Sequence, residues 1–202
     1  MKIRITQLAA PLVAAMVVVP GATATTGSAG TVHLDGVRTT LTTTPATTGV
    51  LVSKGILPLP VGSATVAPRF GPGGLSLRYG FPITGGHVDA ATLAGSINHS
   101  GGLRFVNIAN GHTLTLTNFR IRISQHPGLT AEVNNNAAVR VRILNLDLGN
   151  ARMVKHPPRV WVGNVKATLT RTAASALNEA LGVSFFSRGI TLGTAQVKAR
   201  IG

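Results

Sequence analysis

The sequence predicts a mainly β fold, in which antiparallel sheets form a sandwich-like single domain with one or two short helices. Alternating apolar and polar residues, typical of half-buried strands, run through "HTLTLT", "VRVRILNLDL", "RVWVGNVKATLT" and "GITLGTAQVKARI". Gly, Pro and Asn separate these segments, as they do between short strands. Together the two observations favour many strands and few helices.

The apolar alternation changes phase in the middle of one strand segment. Leu114 and Leu116 share one face, whereas the apolar residues after Asn118 are Phe119, Ile121 and Ile123. A residue inserted into a strand produces this change, so we predict a bulge or kink at Asn118.

Two segments have the pattern of helices. In "TAASALNEALG", Thr172 to Gly182, small and apolar residues recur at helical spacing, with Thr172 as the predicted N-cap and Gly182 as the C-terminal stop. A shorter helix is predicted from Pro45 to Gly55, because proline is favoured at the first helical turn.

The surroundings of these helices resemble one another. Residues 40–66 and 168–197 both run through TLT-x-T, a helical segment, Ser-x-Gly-Ile and Gly-(Ser/Thr)-Ala-x-Val, although the alignment needs gaps. The pattern leaves open whether this is a true repeat or chance.

The N-terminus has the features of an export signal. Lys2 and Arg4 precede an apolar run that ends in Ala22-Thr23-Ala24, an A-x-A cleavage pattern. We therefore predict a signal peptide over residues 1–24 and a secreted protein, with cell-wall association as a further expectation. An uncleaved anchor helix is the alternative, but Pro11 and Pro20 interrupt the run, and no later segment reaches spanning length without a charge.

Charge restricts the expected partners. The chain has 19 Lys and Arg against 5 Asp and Glu, a formal net charge of +14. This excess attracts anionic cell-wall polymers, acidic lipid headgroups or carboxylate-bearing ligands, and nucleic acid is not an expected partner of an exported protein. The alternative is a basic surface that simply keeps the protein soluble and associated with the wall. With no cysteine, disulfides and thiolate metal sites are excluded.

Catalytic motifs are missing from the sequence. The five acidic residues lie far apart, and neither G-x-S-x-G nor H-E-x-x-H occurs. We therefore expect a protein that is not an enzyme and has no metal site built from its side chains.

Four arginines form the clearest candidate for a binding surface. Arg120 and Arg122, and Arg140 and Arg142, lie opposite the apolar faces of their strands, with Glu132 in "LTAEV" between them. If the three strands are neighbours, one carboxylate faces four guanidinium groups, and an anionic ligand would relieve their repulsion. Alternatively, the arginines extend into solvent over their apolar stems.

Tyr79 is the only tyrosine of the chain, in "LSLRYGFPITGG". Two interpretations remain open: a half-buried tyrosine at the end of a strand, or a phenolate ligand of ferric haem iron, which is a known role of tyrosine.

Several motifs in a fixed order carry a family resemblance: "TLAGSINHSGGLRF", "LTLTNFRIRIS", "LTAEVNN", "VRILNLDL" and "ALGVSFFSRGITLGTAQV". Together they resemble the haem-transport-associated (HtaA-type) domain of exported and cell-surface actinobacterial proteins. The resemblance implies that residues 25–202 form an HtaA-like β-rich domain that binds haem during haem uptake at the cell surface.

In that family a tyrosine coordinates the iron and a histidine supports it by hydrogen bonding. The histidine carries over to His99 in "INHSGGL". The family tyrosine follows a W-x-x-K-x-S-F-like segment that this sequence lacks, so Tyr79 with His99 is the candidate pair on the iron side. The four arginines are then the candidate partners of the haem propionates. The alternative is a basic, cell-wall-associated structural or adhesion module without haem.

Overall fold

The computed structural model describes residues 30–89 and 92–201. The predicted signal peptide, residues 1–24, lies outside the described residues. None of the described helices is long and apolar enough to cross a membrane. In chain order the described elements are β1 (Thr31–Thr43), α1 (Pro45–Ser53), β2 (Ile56–Val61), β3 (Thr65–Gly71), β4 (Gly74–Asp89), β5 (Gly95–His99), β6 (Gly102–Asn107), β7 (Thr113–Ile123), β8 (Gly128–Val133), β9 (Asn136–Asp147), β10 (Arg152–His156), β11 (Arg159–Leu169), α2 (Arg171–Leu181) and β12 (Thr191–Ile201).

Eight of the described strands form a closed antiparallel barrel. Hydrogen bonds connect them in the order β7, β5, β4, β1, β12, β11, β9 and β8, and β8 pairs back onto β7. Outside the ring, β6 and β2 extend from β7, β3 lies beside β4, and β10 lies beside β11. The predicted mainly β fold with two short helices is confirmed. The sheet closes on itself, however, where the sequence suggested two packed layers of a sandwich.

The apolar residues of alternate positions fill the inside of the barrel. On β12, Ala195, Val197 and Ala199 are buried, and on β7 the buried set includes Leu116 and Phe119. Because side chains alternate between the two faces of a strand, the residues between them point outward. The inside of the barrel, which we call the lumen, is therefore the hydrophobic core.

The predicted bulge at Asn118 is confirmed. Asn118 has φ = 50°, in the left-handed region, and the pairing of β7 with β8 shifts register between Thr117 and Arg120. Asparagine tolerates this conformation better than most residues. Because of this inserted residue, the apolar side chains before and after the bulge both point toward the lumen.

Both predicted helices are present, but α2 begins before the predicted position. Its N-cap is Thr170, whose Oγ1 accepts a hydrogen bond from the Ala173 N–H at 3.1 Å and donates one to the Arg142 carbonyl at 2.7 Å. The prediction of Thr172 as the cap was wrong by two residues, because Thr170 lies at the strand end where its hydroxyl makes both bonds. Gly182 ends the helix with φ = 64°, as expected.

The two similar segments form strand–helix–strand units with different destinations. β11, α2 and β12 all belong to or pack on the ring, and β12 completes it between β11 and β1. After α1, by contrast, β2 leaves the ring and pairs with β6. The relation between residues 40–66 and 168–197 stays a prediction.

Gly102 permits a close approach between two backbones. A Cβ atom at Gly102 would collide with the carbonyl oxygen of Leu116 and lie 2.8 Å from the Cα of Thr117 on β7. The Gly-Gly pair after His99 is therefore required by packing of the chain against itself.

We expect Gly102→Ala to lower the free energy of unfolding by about 2–4 kcal/mol, because its methyl group displaces backbone atoms of β7. The matched control is Gly49→Ala on α1, where a Cβ meets nothing within 4 Å. That change should raise stability by up to about 1 kcal/mol, because alanine favours the helix. Urea denaturation of both variants measures the difference, and equal stabilities would contradict the proposed collision.

Candidate functional site

The four predicted arginines lie together on the outer surface of the barrel. β7, β8 and β9 are neighbours, as the sequence suggested, with Arg120 paired to Thr130 and Thr130 to Arg142. Glu132 on the middle strand pairs with Thr117 on one side and Arg140 on the other. We call this surface the arginine face; it is a groove of about 350 Å³ lined by Arg120, Arg122, His126, Gly128, Thr130, Arg140 and Arg142.

Glu132 neutralises one of the four guanidinium groups. An Nη atom of Arg140 lies 2.7 Å from Glu132 Oε1, and the side chains are 25% and 13% exposed. The second Nη atom of Arg140 donates to the Asn118 carbonyl at 2.8 Å, and Asn118 Nδ2 donates to Glu132 Oε2 at 2.6 Å. The bulge residue Asn118 therefore positions both members of the ion pair.

Arg120 and Arg142 are held by neutral acceptors. Arg142 donates to the carbonyls of Pro127 and His126, at 2.9 and 3.1 Å, and passes over Gly128, where a Cβ would lie 2.6 Å from its Nε. Arg120 Nε donates to Asn98 Oδ1 at 2.8 Å. These contacts orient guanidinium groups without cancelling their charge, so the arginine face can bind an anion by charge-assisted hydrogen bonds.

His99 lies inside the barrel and joins three strands. It is 4% exposed at the end of β5. Its Nδ1 lies 3.1 Å from the Phe119 carbonyl on β7, and its Nε2 lies 2.7 Å from Thr39 Oγ1 on β1. A carbonyl can only accept, so Nδ1 carries the proton, and in the neutral imidazole Nε2 accepts from the Thr39 hydroxyl. The neutral form thus has both ring nitrogens satisfied.

Burial controls the ionisation of His99. Loss of hydration lowers the pKa of its imidazole from 6.5 to about 4, and the hydrogen bond to the Phe119 carbonyl opposes this effect in part. Because the folded protein disfavours the imidazolium form, His99 contributes to the dependence of stability on pH.

Tyr79 lies in the core, within β4 and more deeply buried than the half-buried position at a strand end that one interpretation of the sequence gave it. It is 1% exposed on β4, and its hydroxyl donates to the Pro58 carbonyl on β2 at 2.9 Å. Its ring stacks near Phe81, with centroids 6.5 Å apart. Burial raises the pKa of the phenol well above its ordinary value, so the structure favours the neutral hydroxyl.

The structure thus places the candidate iron-side residues in the interior. Within the described residues, no hydrogen bond joins Tyr79 to His99, and no group of three His, Asp or Glu side chains converges on a common point. The arginine face, by contrast, gathers all four predicted arginines in one groove.

Sequence reasoning missed a cavity in the lumen. Its volume is about 150 Å³, and its lining is apolar apart from Lys155. The available signal was residue size: six inward positions of β11 and β12 carry only Val or Ala, namely Val160, Val162, Val165, Ala195, Val197 and Ala199. Small side chains at successive inward positions leave the centre of a barrel unfilled.

Comparison with known proteins supports the resemblance found in the sequence. The model of the HtaA family, described as Htaa, matches residues 66–181, more than half of the chain. The chain belongs to the HtaA family. No curated protein matches it.

Solved structures share the HtaA fold of this chain. The C-terminal domain of HtaA from Corynebacterium glutamicum superposes with a TM-score of 0.54 at 17% identity, covering 85% of this chain and 99% of that domain. A variant of the same domain with one histidine changed to alanine, crystallised as a domain-swapped dimer, gives 0.50 at 16% identity, covering 78% and 91%. At this identity the likeness concerns the fold.

The pKa of His99 predicts how the stability of this HtaA-family chain changes with pH. Between pH 6.5 and about 4 the unfolded histidine binds a proton that the folded one does not, so stability falls as pH decreases through this range. The expected loss is up to about 3 kcal/mol. Urea unfolding at a series of pH values should show this loss, and it should be smaller in His99→Gln, which cannot be protonated. Parallel pH profiles would contradict the assignment.

Proposed function

We propose that this HtaA-family chain is a non-enzymatic binding domain outside the cell, which captures an anionic ligand on its arginine face. The observation that supports it is the groove lined by four arginines, of which Arg140 pairs with the carboxylate of Glu132. Glu132 is already engaged by Arg140, so the charges of Arg120, Arg122 and Arg142 are not balanced by that carboxylate. A ligand with carboxylate or phosphate groups fits this surface chemically.

Haem is the first candidate ligand. It carries two propionate carboxylates, and the HtaA-type resemblance implies haem binding during uptake. Arg120 and Arg122 are exposed and lie two residues apart on β7, so both point to the same side of the sheet. A pair of carboxylates can therefore be held by two guanidinium groups of one strand.

Coordination of the iron by Tyr79, with His99 in support, is the second part of the proposal. It requires the Tyr79 hydroxyl to leave the Pro58 carbonyl and to lose its proton, which burial opposes. It also requires an opening of the interior, since both side chains are buried. The arginine face needs neither change, so it makes the first contact with haem in this proposal.

A basic cell-wall module without haem is the alternative function. The net charge of +14 and the exposed guanidinium groups favour binding to anionic wall polymers. In this case attraction depends on charge density alone, and salt screens it over about 10 Å at 0.1 M.

A haem titration of the purified protein tests the leading proposal. We expect a saturable shift of the Soret band at one equivalent. The double variant Arg120→Gln/Arg122→Gln should weaken binding by about tenfold or more, because two charge-assisted hydrogen bonds are lost. The control is Arg69→Gln/Arg104→Gln, which removes two exposed arginines from β3 and β6, away from the groove. A flat titration would rule out haem as the ligand.

The same titration in Tyr79→Phe and His99→Ala tests the iron side. If the phenolate coordinates ferric iron, Tyr79→Phe loses the ligand-dependent bands, and His99→Ala shifts them. Unchanged bands in both variants would assign haem to the arginine face alone.

Retention on an anionic polysaccharide column at rising salt tests the alternative function, the wall module. Elution of a haem-free protein at moderate salt supports that module, and retention at 1 M salt contradicts it.

A further inference from the structure

We propose that the lumen cavity binds one unbranched acyl chain, whose carboxylate is held by Lys155 at the edge of the cavity. This ligand is separate from the one proposed for the arginine face, and its site lies on the inner side of the same sheet. The supporting observations are the lining of the cavity, the position of its one charged residue, and its size.

Apolar side chains from nearly the whole ring line the cavity. They come from β1, β4, β5, β7, β9, β11 and β12, and from the segments that follow β4, β7 and β9. Among them are Val32, Ile97, Ile123, Val160, Val197 and Ile201. Apart from Lys155, this surface offers an alkyl chain apolar contacts and no hydrogen-bond partner.

Lys155 makes one end of the otherwise apolar cavity positively charged. It is the charged member of the lining, and it lies on β10, a strand attached to the barrel only through β11. The residue is exposed, so its ammonium group reaches solvent while its stem covers the apolar opening. Arg159 and Arg200, paired on the adjacent strands, add positive charge near this end. These three cations outnumber the carboxylate of Asp89 at the same end, which accepts hydrogen bonds from the amide and hydroxyl of Thr92. The local field therefore favours an anionic head group.

The size of the cavity selects the ligand. A cavity of about 150 Å³ lined by apolar residues accommodates benzene, and the volume of the lumen cavity is about 150 Å³. The porphyrin ring of haem is several times larger than benzene, so haem does not fit this cavity unless the barrel opens. A narrow, flexible chain does.

A second apolar cavity of about 70 Å³ lies deeper in the lumen. Ile121, Leu146 and Ala195 line both cavities and separate them. Rotation of the two larger side chains would join the spaces into one channel. By proportion with benzene, the first cavity holds about six carbons and the second about three. The optimum chain length is therefore about nine or ten carbons.

The first test is a titration of the full chain with saturated fatty acids from hexanoate to dodecanoate, by calorimetry below their micellar concentrations. Affinity should rise roughly fourfold per added methylene group up to about nine or ten carbons and then level off, because each buried methylene contributes a constant free energy. Binding that is absent, or independent of chain length, would overturn the proposal.

Two variants locate the ligand. Ala195→Leu adds a side chain where the cavities meet, and it should reduce decanoate affinity at least about tenfold. Because a larger core residue can impair folding, its circular dichroism and melting curve are compared with those of the unchanged protein. Lys155→Gln leaves the core intact and should weaken decanoate about two- to fivefold, as expected for an exposed ion pair.

The control for Lys155→Gln is Arg152→Gln, on the same strand but outside the cavity lining. It should bind decanoate as the unchanged protein does, and an equal loss in both variants would mean that the head group senses only overall charge, which contradicts a site at Lys155. Decanoate binding should also persist in Arg120→Gln/Arg122→Gln, and haem binding in Lys155→Gln. Failure of the haem titration therefore leaves this inference intact, and the converse also holds.

Discussion

The pairing of β7 with β8 is the contact on which the rest of the structure depends, because it closes the sheet into a barrel. Closure gives every strand of the ring one face toward the lumen and one face outward. On β7, Ile121 and Ile123 line the cavity, whereas Arg120 and Arg122 line the outer groove. Both candidate ligand sites are therefore consequences of the same closure and of a side-chain period of two.

The bulge at Asn118 makes this division consistent along the whole of β7. Without the extra residue, either Leu114 and Leu116 or Phe119 and Ile121 would face solvent, since a shift of one position reverses all later side chains. Asn118 also contacts both members of the Arg140–Glu132 ion pair. One residue in a left-handed conformation thus organises the core on one side of the sheet and the charged surface on the other.

Buried polar side chains connect strands of the sheet by hydrogen bonds. His99 connects β1, β5 and β7, and the Tyr79 hydroxyl connects β4 to β2 outside the ring. Among the described residues, no buried side-chain nitrogen or oxygen lacks a hydrogen-bond partner. Loss of one partner would leave the other unsatisfied in an apolar environment, at a cost of about 1–3 kcal/mol.

Much of the local structure could be predicted from the sequence, because it depends on neighbouring residues. The alternation in β7 and β9, the bulge at Asn118 and the Gly182 helix end are of this kind. The position of the α2 cap could not, since Thr170 is selected by the Arg142 carbonyl, 28 positions away. Closure into a barrel could not be predicted either, for the same reason. It depends on the pairing of β1 with β12, which are far apart in the chain, and no local sequence pattern indicates that pairing.

The candidate site shows the same limit. The arginine face follows from the period of two and the adjacency of three consecutive strands, so the sequence contained it. The burial of Tyr79 depends on β2, which pairs with β6 and whose Pro58 carbonyl accepts the hydrogen bond of the Tyr79 hydroxyl. The lumen cavity could not be predicted from the sequence, because it depends on which residues face one another across the barrel. Only the order of the strands in the ring gives that information.

The interior and the outer surface therefore set different conditions on a ligand. A ligand that needs the Tyr79 oxygen must compensate for the lost bond to Pro58 and for the ionisation of a buried phenol. A ligand on the arginine face exchanges the contacts of Arg120 and Arg142 with neutral acceptors for contacts with an anion, in which both partners are charged. An acyl chain in the lumen displaces no polar contact of the lining. For a large dianionic ligand the outer groove is the accessible surface, and for a narrow apolar chain it is the lumen.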